Sequence, residues 1–323
     1  MTNFQVYRKT LPFSFIEFLV SLVSMAVLAG LCVLGFVIGN NVGTQEYRAL
    51  VGLGIGFIVG ILVMIAIQYL VLNRIKAGQI AMMTKGVADD ELPDHVVKAG
   101  FGEVRGRFAR ITAFFVVTNL IKGMFRQIGR AINQVSTMVG GEAGNAVSSA
   151  IDTAVQILLG YLCDCCLGWV MYRKDQGVTK SACEGAVIFF KNGKTLFRNI
   201  GRIFGMGILS FVVIGGAIFG AAFAICSQFP TMFAELSTTI QNLKIEDLPT
   251  WVYDVRNLTA VVCAIGAIIL WSSIHSVVGR PFILVGVLRN FIAAGKAKMP
   301  TEADFKELDN KSSKFAKLRT KEM

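Results

Sequence analysis

A chain of 323 residues that is 54% hydrophobic, 16% charged and of mean hydropathy +0.60 is not a soluble domain, since soluble chains carry about 25% charged residues. The formal charge of +11 does not indicate nucleic-acid binding, because the cations flank apolar blocks. There the positive-inside rule and anionic headgroups account for them. The apolar blocks run for roughly 20–25 residues, the length that crosses about 30 Å of hydrocarbon, and backbone hydrogen bonding in lipid makes them helices. The expected fold class is an all-α polytopic membrane protein.

The first span is expected at 13–38, just after Pro12, and is too long for the apolar core of a cleavable signal peptide. The second, 48–72, carries Gly52, Gly56 and Gly60 at every fourth position, which lets helix backbones approach closely. The basic stretch from Arg74 to Arg110 reads as a cytoplasmic loop. Further spans are expected at 150–172, at 203–226 with its small residues Gly216, Gly220 and Ala224, and at 258–278.

Charge counts set the topology. Residues 173–202 carry +5, the stretch from Arg280 onward +5, and residues 227–256 carry −2. The positive-inside rule puts the basic segments and both termini in the cytoplasm and the acidic one outside. An additional crossing between Arg110 and Ala150 reconciles these sides and brings the expected count to six.

That crossing, 111–139, has an unusual helical face. At 100° per residue, Asn119, Lys122, Arg126, Arg130, Asn133 and Thr137 fall within one arc of about 80°. Cations at the bilayer centre are costly, so a crossing helix would turn this face to a water-filled cavity or a bundle partner. An interfacial helix with its cations toward headgroups, or a re-entrant pair about Gly140 and Gly141, fits the same pattern. Asp164 is the deepest carboxylate of the spans, and a cation of the stripe is its expected partner.

No HExxH, GxSxG or phosphate-binding GxxxxGK[ST] occurs, and His95 and His275 are isolated, so the chain reads as a non-enzyme without cofactor. Cys163, Cys165 and Cys166 with Asp164 lack a second ligand cluster for a metal. Packing is the expected role of these thiols, and palmitoylation near the span end the alternative. Residues 181–202 and the segment beginning at Arg280 read as amphipathic interfacial helices. Residues 1–299 are expected to form one transmembrane domain and residues 300–323 a charged, mobile cytoplasmic tail.

The cysteine-rich span end YLCDCCLGWVMYRK, the following KSACEGAVIFFKN before a glycine-rich span, and the closing KAKMPTEADFKELDNKSSKFAKL resemble the C-terminal half of the choline transporter-like family. The resemblance covers about 110–318 in order and texture, and no site residue carries over. It implies transport of choline or a related organic cation, whereas the basic stripe favours anions.

Two functions are therefore expected as rivals. One is a transporter or channel-like permease for a small charged solute or lipid headgroup, lined by Asn119, Lys122, Arg126, Arg130, Asn133 and Asp164. The other is a non-transporting scaffold whose basic amphipathic helices bind anionic lipids. Homo-oligomerisation fits either.

Overall fold

The computed structural model describes residues 1–41, 47–107, the single positions 111, 114, 118, 122 and 123, residues 159–192, 205, 207–229, 231, 234, 237, 238 and 254–322. Helices dominate, and no strand occurs among the described residues. Four stretches are long and apolar enough to cross a membrane: Asn3–Asn41, Val51–Ala88, Gly207–Cys226 and Val255–Ala297. Only 6–11% of the most apolar part of each is buried. They contain the expected spans at 13–38 and 258–278 and most of those at 48–72 and 203–226. Leu159–Tyr172 is a shorter apolar helix. Most of the expected span at 111–139, and residues 150–158, lie outside the described residues. The chain divides into two compact units, Met1–Asn199 with Pro281–Met323, and Ile200–Arg280.

In the first unit, α1 (Asn3–Asn41) and α2 (Tyr47–Ile67) pack as an antiparallel hairpin. α1 starts ten residues before the expected span, so Pro12 lies inside it and leaves the Arg8 carbonyl without a helical donor. The base of α1 buries Val6, Tyr7, Thr10, Phe13 and Ser14, whereas Phe15, Leu19 and Val23 are exposed. A helix changes surroundings at that point, from protein to a solvent that accepts apolar side chains. The hairpin itself is held backbone to backbone. A Cβ at Gly52 would lie 2.1 Å from the Gly35 carbonyl oxygen, and one at Gly56 would lie 2.2 Å from that of Leu31. The first glycine stripe is thus an intramolecular contact.

Residues 74–107, within the stretch expected as a cytoplasmic loop, are mostly helical. A π turn, Gln68–Leu72, leads from α2 into α3 (Asn73–Ala88), and α4 (Val96–Gly106) follows. No proline interrupts residues 68–88. The chain turns only at Asp89 and Asp90, the latter at φ 58°, followed by Pro93. α3 is buried almost continuously from Ala77 to Thr84, so it sits in a core rather than on a surface. Gly78 and Gly100 let α3 and α4 close around Phe13: a Cβ at Gly100 would meet its ring at 2.4 Å.

The same body contains α5 (Leu159–Tyr172), α6 (Val178–Lys191) and α9 (Arg280–Ala297). Trp169 of α5 is fully buried, edge-on to Phe291 of α9 at 6.1 Å. An added Cβ at Gly295 would lie 2.5 Å from the Trp169 ring and one at Gly168 2.7 Å from Leu288 and 2.9 Å from Thr84, and Gly185 packs closely on Cys166. α6, expected as an interfacial helix, buries Thr179 and every residue from Ser181 to Phe189. Its SACEG stretch is small because other helices press on it, not because it lies on headgroups. Arg289 of α9 also clasps the start of α1, donating to the Asn3 side chain at 2.6 Å and the Met1 carbonyl at 2.7 Å.

The tail, expected as a charged mobile segment, is helical and packed. It forms α10 (Glu302–Lys311) and α11 (Ser313–Glu322), which pack on α6 and bury Phe305, Leu308, Phe315 and Leu318. Four apolar residues at helical spacing give a charged segment enough surface to dock. Asp304 accepts the Thr301 backbone N–H at 2.9 Å and pairs with Lys191, which holds its pKa down at about 2. A carboxyl depressed on folding contributes stability above its unfolded pKa, near 3.9. That contribution is lost as pH falls from about 4 toward about 2. Asp304→Asn should raise hydrogen exchange in residues 302–322 by about threefold through loss of the Lys191 ion pair, since the amide oxygen can still accept the Thr301 N–H. The protection of those amides, once intrinsic exchange rates are divided out, should also lose its dependence on pH over that window.

The second unit contains α7 (Gly207–Cys226), with a π turn at Phe211–Gly215, and α8 (Val255–Ile274), followed by a π turn at His275–Gly279. Asp254 caps α8, accepting the Arg256 backbone N–H at 2.8 Å. Phe211 meets Trp271 edge-on at 4.9 Å. Among the described residues, an added Cβ at Gly216 or Gly220 would meet nothing within 4 Å, so this second small-residue stripe makes no close helix contact there.

Candidate functional site

Of the six residues expected to line a pathway, Asn119, Arg126, Arg130 and Asn133 lie outside the described residues. Lys122 is half-buried in a helical position. Asp164 is the one whose surroundings are defined. It is 3% exposed on α5, and Lys76 of α3 holds its carboxylate at 2.7 Å. Lys76 comes from the segment read as a loop, while most of the 111–139 stripe, where a partner was expected, lies outside the described residues. No spacing rule links residues 88 positions apart, so the sequence carried no signal for this pair.

A second buried carboxylate lies near the end of the same helix. Glu184 of α6 is 5% exposed and accepts from Trp169 Nε1 at 3.0 Å and Gln176 Nε2 at 2.6 Å. Arg173 stands 3.8 Å away and is held by Asp175 at 3.0 Å, which raises the guanidinium's pKa. Lys296 completes the cluster above the Tyr172 ring, at 5.1 Å. This network caps the α5–α6 turn with satisfied charge. An acid set among Ser181, Ala182, Cys183 and Gly185 was its sequence signal, because small neighbours mark a face pressed against protein.

Two further clusters are structural. Cys163, Cys165, Cys166 and Cys183 are buried thiols, so no acyl group reaches them without opening the body. Among the described residues no group of three His, Cys, Asp or Glu side chains could hold a metal ion. In the second unit, Ser210 Oγ lies 3.2 Å from His275 Nδ1 and accepts from Trp271 Nε1 at 3.2 Å. That cluster satisfies three polar groups between two apolar helices, and no acid orients the imidazole there among the described contacts.

The polar groups in the hairpin also turn inward. Ser21 and Ser24 donate to the Glu17 and Val20 carbonyls of their own helix at 2.9 and 2.7 Å. The described face between α1 and α2 is closed by glycine rather than lined by polar side chains. No family model, curated protein or solved structure matches the chain.

Proposed function

We propose that the protein is a non-transporting membrane scaffold. Four crossings, 13–38, 48–72, 203–226 and 258–278, anchor a folded helical body at the cytoplasmic face, with both termini on that side. The supporting observation is the company kept by residues 111–172. α5 is enclosed by α3, α6 and α9. Gly123, midway along the expected third span, lies against α11 of the charged tail: a Cβ there would be 3.2 Å from Lys314 Nζ. Asp164 pairs with Lys76 of α3. These contacts suit a body outside the bilayer better than two more crossings.

Charge parity is kept. Six crossings would add 111–139 and 150–172 as a pair, and the basic segments require only that the number be even. With four, residues 73–206, holding 17 Lys/Arg against 10 Asp/Glu, stay on the side of the termini. Residues 42–46 and 227–254, with five Asp/Glu and one lysine, fall on the other.

The competing proposal is a permease lined by 111–139, and the half-exposed cation of Lys122 favours it. Labelling single cysteines along 119–137 in sealed vesicles with a charged thiol reagent separates the two. The scaffold predicts labelling from the cytoplasmic side only. Labelling from both sides at every third or fourth position would favour the pore.

A further inference from the structure

Arg8, Lys9 and Pro12 of α1, with residues 94–98 leading into α4, line an open cleft of about 810 Å³. It carries three cations, Arg8, Lys9 and Lys98, against Asp94, so its charge is +2 with His95 neutral. None of the three cations makes an ion pair among the described residues. Lys76, Arg107, Arg173, Lys191, Arg289 and Arg319 each face a carboxylate, and the cleft differs from the other unpaired cations in gathering three around one concavity. Unpaired like charges kept together around a concavity repel one another, and an anion that enters relieves that repulsion.

The position of the cleft narrows the choice of anion. The exposed apolar stretch of α1 begins at Phe15, seven residues beyond Arg8, or about 10 Å along the helix. That distance is the depth of the headgroup layer, where juxtamembrane Lys and Arg meet anionic lipid. The volume far exceeds a bare phosphate and suits a headgroup.

We propose that this cleft binds the phosphate monoester of a lipid headgroup, a dianion at neutral pH that matches the +2 of the site. Arg8 supplies a planar fork to two phosphate oxygens, and Lys9 and Lys98 act as point charges. The assignment rests on α1 crossing the membrane and gives the scaffold its lipid.

The test uses the full-length protein purified in a non-ionic detergent, titrated with dioctanoyl phosphatidic acid. Dioctanoyl phosphatidylcholine and inorganic phosphate serve as separate arms, and affinity is read by native mass spectrometry. Binding of the phosphatidic acid but not the phosphatidylcholine is expected. Arg8→Gln, Lys9→Gln and Lys98→Gln should each weaken it about fivefold, and the triple variant on the order of a hundredfold. Lys306→Gln, on the tail, should leave it unchanged.

Inorganic phosphate that binds as tightly, and is lost in the triple variant, would make the ligand a soluble phosphate and overturn the lipid assignment. Wild-type affinity in a triple variant that keeps the wild-type melting temperature, or equal binding of phosphatidylcholine, would overturn the site itself. Affinity in micelles does not depend on sidedness, so those results would leave the count of crossings standing.

Discussion

Lys76→Met should destabilise the first unit by about 3 kcal/mol, the low end of the cost of removing one partner from a buried ion pair. The low end applies because Lys76 keeps 26% of its side chain exposed, whereas Asp164 keeps 4%. The substitution removes the ammonium 2.7 Å from a carboxylate that α5 cannot move into water. Asp164→Leu in the same chain should restore most of the loss, since an apolar pair of similar volume replaces both charges. Thermal unfolding in detergent reads both variants. Equal stability of Lys76→Met and wild type would show that the pair does not hold α5 to α3. An additive rather than compensating double variant would show that the two residues do not act together.

Gly52→Leu should have an effect at least as large, about 3 kcal/mol or more, by forcing α1 and α2 apart. Its Cβ alone would lie 2.1 Å from the Gly35 carbonyl oxygen, and no rotamer relieves a clash with backbone. Gly54→Leu supplies the control in the same helix, because a Cβ there meets nothing within 4 Å. It should change stability by less than about 0.5 kcal/mol. Matching losses from the two substitutions would mean that close approach of α1 and α2 does not set the cost, since helix propensity favours Leu over Gly at both positions.

The apolar hairpin and the pair α7 and α8 were legible in the sequence because length and hydropathy report them directly. Gly52 and Gly56 were legible for the same reason: their spacing is a local pattern. α5 was legible as a helix but not in its surroundings. Leu159, Leu162, Leu167 and Trp169 are apolar because protein covers them, and hydropathy reads burial in protein and burial in lipid alike. The tail carried its signal in Phe305, Leu308, Phe315 and Leu318, which the density of charge around them obscured.

At the site, the depth of Asp164 could be read from its apolar neighbours, whereas Lys76 could not, since tertiary folding alone joins them. The same holds for the basic cleft. Arg8 and Lys9 stand about ninety positions from Lys98, and neither segment is unusual by itself. Only the packing of α1 on α4 makes them one surface.

The side on which residues 140–149 lie decides between four crossings and six. An epitope inserted after Gly144, probed with antibody on intact and on permeabilised cells, reads it directly. In cells where an epitope within residues 227–254 binds antibody without permeabilisation, four crossings predict that the Gly144 epitope binds only after it, as for one at the C-terminus. Binding on intact cells would put that segment outside, restore 111–139 and 150–172 as spans, and contradict the scaffold.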